Sequence, residues 1–204
     1  MMLYQIKKIK LLIKENWQQL NLLILLAPLF YAGAMIYFLL SDQVANAEGI
    51  GPHTFKAILE NVAFYILVPA VFFAYLRFCI ERSVFFLWLM AIIVSLICRE
   101  VHWSWAGGGV YVMIAVLMVI GFIFYDKLRP QISSPVFINL FVTAIITYFI
   151  ANLLLDQNWA RVSKEFRADI SFKKSLEEFM EIFGHAAMAS IVFFTPALNR
   201  KEKE

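Results

Sequence analysis

The sequence predicts an all-α, polytopic membrane protein: a bundle of about six transmembrane helices preceded by an amphipathic interfacial helix. Three observations predict it. Of 204 residues, 62% are hydrophobic and 16% are charged, against about 45–50% and about 25% in an ordinary soluble domain. The apolar residues come in blocks of about 17–25, the length a helix needs to cross a bilayer. Lysine and arginine, finally, collect in alternate connecting segments, as they do in multi-span proteins.

The elements follow in order. Residues 1–19 place Leu3, Ile6, Ile9, Ile13, Trp17 and Leu20 at spacings of three or four, with Lys7, Lys8, Lys10 and Lys14 off that stripe. This is the pattern of a helix lying on an anionic leaflet; a basic flank that only sets topology reads the same way. The run Leu20–Leu40 has 21 residues, longer than the roughly 7–15 of a signal-peptide core. It is therefore read as a permanent first span, despite the cleavage-like Ala45-Asn46-Ala47 after it, and Pro28 kinks it. A polar loop, Ser41–Thr54, leads to a second span at Phe55–Phe78. Cys79–Ser83 forms a short turn, and the third span is Val84–Trp105. Gly107-Gly108-Gly109 predicts a tight reversal. The fourth span is Val110–Tyr125, Asp126–Pro130 is a loop, and the fifth span is Val136–Leu155. A charged outer stretch, Asp156–Lys174, precedes the sixth span at Leu176–Leu198. Within that stretch Val162, Phe166 and Ile170 suit a short interfacial helix.

These boundaries give a basic segment at 1–19, one transmembrane domain at 20–198 and a tail at 199–204. With the N-terminus inside, inner segments carry Lys7, Lys8, Lys10, Lys14, Arg77, Arg82, Lys127, Arg129, Arg200, Lys201 and Lys203, 11 of the 18 basic residues. The expected location is the inner (plasma) membrane with both termini cytoplasmic. The last outer loop opposes this bias, holding five of the other seven. Cys79 and Cys98 fall near opposite faces, too far apart for a disulfide, which needs Cα atoms within about 7 Å.

Charged residues inside spans are costly, about 2.5–3.5 kcal/mol each at the helix centre, and so mark functional positions. At about 1.5 Å per residue, Glu60 lies roughly 7 Å below the outer edge and Glu100 about 6 Å below it. Glu181 lies roughly 7 Å deep, His185 roughly 13 Å deep, and Asn152 close to the level of Glu100. Polar groups from four spans thus share one outer-half layer. Glu178, Glu181 and His185 fall within about 60° of one another on the sixth span and can face one cavity. Arg99 is placed to neutralise Glu100, Glu181 or Glu60. The candidate pocket is Glu60, Arg99, Glu100, Asn152, Glu178, Glu181 and His185.

Each residue also has a purely structural reading. Ser175-Leu176-Glu177-Glu178 matches a capping box that would start the last helix. His102, Trp103 and Trp105 suit an interfacial belt. His185 suits a neutral core histidine.

Three functions compete. The first binds or translocates a proton, cation or small polar solute. The second is a metal-assisted membrane hydrolase acting on lipid or another outer-leaflet substrate, with Glu181 and His185 as ligands of a divalent metal; the paired histidines of strong zinc helices are missing from this segment. The third is a non-catalytic accessory subunit whose polar groups hold helices together. Haem is set aside, because His102 and His185 differ by roughly 10 Å in depth. The expected partners are the bilayer and, for a subunit, further copies or membrane proteins; no nucleic-acid module is present. The Arg99-Glu100 and Glu177-Glu178-x-x-Glu181 motifs resemble those of small bacterial inner-membrane proteins, a likeness that implies no activity.

Overall fold

A computed structural model describes residues 20–40, 52–101, 106–151 and 170–197. Among them the chain is all-α, with seven helices: α1 Leu22–Leu40, α2 Pro52–Glu81, α3 Val84–Glu100, α4 Ala106–Ile123, α5 Tyr125–Ile132, α6 Pro135–Phe149 and α7 Ile170–Phe194. The basic segment 1–19, the tail 199–204, the Ala45-Asn46-Ala47 stretch and the interfacial helix expected before α7, apart from Ile170, which opens α7, lie outside the described residues.

The last helix is the hub. α7 packs on α6, α2, α1 and α3, while α4, among the long helices, rests chiefly on α3. Small side chains make this close packing achievable. On α2, Ala63, Leu67, Ala70 and Ala74 form one fully buried stripe at helical spacing, so the α2 backbone can approach its neighbours closely. Phe85, Phe86, Leu89 and Ile93 of α3 meet Ile191 and Val192 of α7 in the main apolar cluster. α4 is pinned by Trp88, whose indole N–H donates to the Leu117 carbonyl at 2.7 Å. A Cβ at Gly121 would come within 3.1 Å of that indole, so the glycine is what lets α4 sit on Trp88.

Local chemistry sets the helix ends. Pro52 opens α2, where its missing N–H costs nothing. Arg82 takes φ 53°, the left-handed conformation that turns α2 into α3. Ser83 then caps α3 by accepting the Phe85 N–H at 3.3 Å. Ser134 caps α6 by accepting the Phe137 N–H at 3.2 Å. At the C-terminus of α7, Arg77 donates to the carbonyls of Val192 and Thr195, both at 2.7 Å, and pairs with Glu81 at 2.6 Å. Those terminal carbonyls have no partner within their own helix.

Several expectations are corrected. Gly107–Gly109 are not a reversal: they lie in the first turn of α4. Three glycines cost helix stability but do not forbid it when the segment is otherwise strongly apolar. The Asp126–Pro130 loop is instead part of helix α5, turned 96° from α4. It forms because Tyr125, Leu128 and Gln131, three residues apart, bury one face of it. Ser175 is not a cap, since α7 begins at Ile170 and runs straight through it; Lys173 and Lys174 are helical, not loop. The third span ends at Glu100, short of Trp105.

By length and composition, the described residues hold one or two candidate spans. Among the described residues one stretch, Asn61–Glu81, is by itself long and apolar enough to cross a membrane. A second is reached if the bent pair Gly109–Ile123 and Tyr125–Ile132 counts as one span. Leu22–Met35 and Pro135–Phe149 are apolar but shorter.

Candidate functional site

Three helices bring a compact polar cluster together where α3 ends. Arg99 and Glu100 are the last two residues of α3, Glu181 and His185 are one turn apart on α7, and Tyr148 is near the end of α6. Arg99 Nη2 donates to Glu181 Oε1, closing an ion pair between α3 and α7. Nε2 of His185 lies 3.2 Å from Glu100 Oε1. On the other side of the ring, Nδ1 lies 2.6 Å from the Tyr148 hydroxyl.

Burial makes these contacts consequential. His185 is 0% exposed, Glu181 6% and Glu100 7%. A carboxylate or imidazole so removed from solvent depends on its neighbours for every hydrogen bond. Glu100 has a further handicap, because the carbonyl end of a helix is its negative end. A carboxylate there needs a donor, and His185 is placed to be one.

The two ring contacts limit how protons can be arranged. If Tyr148 donates to Nδ1, the ring's own proton sits on Nε2 and points at Glu100. If the ring is doubly protonated, both nitrogens donate and the phenol oxygen accepts. A third arrangement puts the ring proton on Nδ1, toward Tyr148, with a protonated Glu100 donating to Nε2; in each case the ring is bonded from two different helices.

Gly184 sets the position of Tyr148. A Cβ at Gly184 would stand 2.9 Å from a carbon of the phenol ring, so the ring occupies the space a side chain would take. The backbone beyond Phe149 widens to a π turn at 150–151, a distortion frequent at functional sites.

Of the sequence-derived candidates, the structure brings Arg99, Glu100, Glu181 and His185 together. Glu178 lies one turn before Glu181 on α7 and is half-buried. The side chain of Glu60, together with Asn152, His102, Trp103 and Trp105, falls outside the described residues. Among the described residues no three His, Cys, Asp or Glu side chains are grouped to hold a metal ion. Glu181 is taken up by Arg99, and both nitrogens of His185 have partners.

Tyr148 was not among the candidates. A phenol inside an apolar span carries no formal charge and so does not stand out there as a costly group. Its signal is nonetheless in the sequence. Asn139, Thr143 and Thr147 recur every four residues as buried polar groups on the same helix, which marks α6 as a helix with a polar interior side, and Tyr148 follows directly. The chain matches no protein-family model, and no curated protein or solved structure shows significant similarity to it.

Proposed function

We propose that the chain is a six-span inner-membrane protein, both termini cytoplasmic, whose buried Glu100–His185–Tyr148 relay takes up and releases a proton in the outer half of the membrane. The observation that carries this reading is His185. It is a fully buried imidazole held between a phenol and a carboxylate, beside a closed Arg99–Glu181 ion pair.

The membrane assignment draws support from the surface. All six long helices turn large apolar side chains outward, among them Leu23, Tyr65, Leu87, Val112, Ile145 and Phe194. Only 22% of the most apolar window of Asn61–Glu81 is buried. Soluble monomers rarely expose contiguous apolar patches of more than a few hundred Å². Against lipid such a surface costs nothing.

Charge counting favours a proton over other occupants. Arg99 contributes one positive charge, and Glu100 and Glu181 two negative ones. With His185 neutral these four side chains sum to one negative charge, and one added proton on the Glu100–His185 pair brings the sum to zero. A lone buried charge is expensive, so the cluster has a physical reason to exchange a single proton. Glu178 on α7 and Tyr111 on α4, which lies near Arg99, bear on the same balance. A larger cation or polar solute would first have to part side chains that already bond to each other. An accessory-subunit reading is favoured by that same mutual satisfaction, which is what polar helix glue needs.

The test is proton uptake by purified protein, followed from about pH 5 to pH 8. Wild type should exchange close to one proton that Glu100→Gln and His185→Gln both lose while keeping their folds. In proteoliposomes carrying a pH-sensitive dye, the same variants should lose any flux the wild type shows. A wild type that exchanges no proton in that range, or variants that exchange it unchanged, would return the cluster to a structural role.

A further inference from the structure

We infer that α5 and the Arg82 turn form a headgroup-binding surface for acidic phospholipid on the cytoplasmic face. The inference rests on the membrane reading above and not on the proton relay.

The geometry starts from the 96° turn between α4 and α5. Phe124, at φ −92° and ψ 18°, leaves the helical conformation and breaks the helix there. If α4 crosses the bilayer, α5 lies in its plane at the level of the headgroups. Its sides are sharply divided. Tyr125, Leu128 and Gln131 are buried, while Asp126, Lys127, Arg129 and Pro130 are exposed. Amphipathic in-plane helices show this division, with basic residues on the polar side.

A third cation is fastened beside them. Gln131 Nε2 donates to Ser83 Oγ at 2.9 Å, a buried bond that ties α5 to the turn between α2 and α3. The residue next to Ser83 is Arg82, exposed and held at φ 53°. That conformation disfavours any residue with a Cβ and would suit glycine better. Here the backbone carries its strain at a position occupied by an exposed guanidinium. Arg82, Lys127 and Arg129 therefore belong to one rigid surface, which Asp126 shares; the nearby Glu81 is engaged by Arg77.

Apolar side chains frame this surface on the side toward the membrane. Ile123 is 67% exposed and Phe124 44%, and the Lys127 ammonium sits 5.7 Å from the Phe124 ring centre. Exposed apolar groups immediately beside exposed cations match a phospholipid, with its acyl chains on one side and its phosphate on the other. A soluble anion would use only the cations, and an acidic protein would leave Ile123 and Phe124 uncovered.

The experiment follows the melting of detergent-purified protein as dioleoyl phosphatidylglycerol, dioleoyl phosphatidylcholine or inorganic phosphate is added. Phosphatidylglycerol should raise the melting midpoint, and the other two should not. In Arg82→Gln/Lys127→Gln/Arg129→Gln the same rise should need on the order of a hundredfold more lipid, since each basic residue at an acidic surface contributes about fivefold. The three side chains are exposed, so the variant should fold; Lys127→Gln alone, expected to shift the curve about fivefold, serves if it does not. A second variant, Lys7→Gln/Lys8→Gln/Lys10→Gln, should keep the wild-type response. The inference is overturned by equal responses in wild type and the first variant, by loss only in the second, or by an equal effect of phosphate. Release of the chain from membranes by alkaline carbonate would instead overturn the membrane reading beneath it.

Discussion

Tyr148 lies across Gly184, and that contact brings its hydroxyl to within 2.6 Å of Nδ1 of His185. One residue with no side chain thereby positions a phenol against the neighbouring imidazole. The contact also joins α6 to α7 at the level where α3 ends, so three helices meet around one ring.

The first prediction tests that arrangement. Gly184→Ala adds a methyl 2.9 Å from the Tyr148 ring, closer than carbon atoms pack, and the ring has to move. The variant should lose about 1–3 kcal/mol of stability, as overpacked sites do. Its proton exchange should shift in pH in the same direction as that of Tyr148→Phe, which removes the hydroxyl alone. Combining the two should add nothing to the shift, because the hydroxyl is already displaced. Additive shifts would mean that Gly184 acts on His185 by another route.

How much of this was legible beforehand divides along physical lines. Arg99, Glu100, Glu181 and His185 stand out because charge in an apolar run is rare and depth follows from residue count. Their pairing does not follow, since it depends on how α3 and α7 are rotated against each other, and a single sequence does not encode that angle in any local pattern. Ser175 misled because a capping box is a local signal, overridden here by residues 170–174 continuing the helix. The glycine triplet misled in the same way, as turn chemistry that the surrounding apolar segment outweighs. Asp126–Pro130 looked like a loop through its charges and proline, yet Leu128 and Gln131 could be buried only by a helical turn.

Orientation makes the second prediction. Reporter fusions active in the cytoplasm should work at Asp126 and at Asn199, and periplasmic reporters should work at Asp42 and Arg161. The distribution of lysine and arginine motivates this, and the helix lengths alone do not decide it, since they support only one or two spans. Cytoplasmic activity at Arg161 would remove a crossing between α6 and α7. It would also place the Glu100–His185 layer on the other side of the membrane from the one proposed.

The last prediction concerns the ion pair of Arg99 with Glu181. Glu181 is 6% exposed, so neither charge can be abandoned cheaply. Arg99→Ala leaves the Glu181 carboxylate buried opposite Glu100 with no cation between them, and it should cost about 3–5 kcal/mol. Glu181→Gln keeps an oxygen that can accept from the guanidinium and should cost less, with the Arg99 charge still balanced by Glu100. The double change Arg99→Leu/Glu181→Leu removes both charges and fills the space with apolar atoms. It should recover most of the stability lost in Arg99→Ala, because the penalty comes from the orphaned charge and not from the missing bond. Melting of the purified variants in one detergent measures all three. The proton relay adds a second readout: with Arg99 gone the cluster carries two carboxylates and no fixed cation, so it should bind its proton up to higher pH than the wild type. If the double variant is as unstable as Arg99→Ala, the pair contributes through its geometry. If the proton exchange of Arg99→Ala does not move, Arg99 is electrically remote from the relay, and the charge count on which the proposed function rests is wrong.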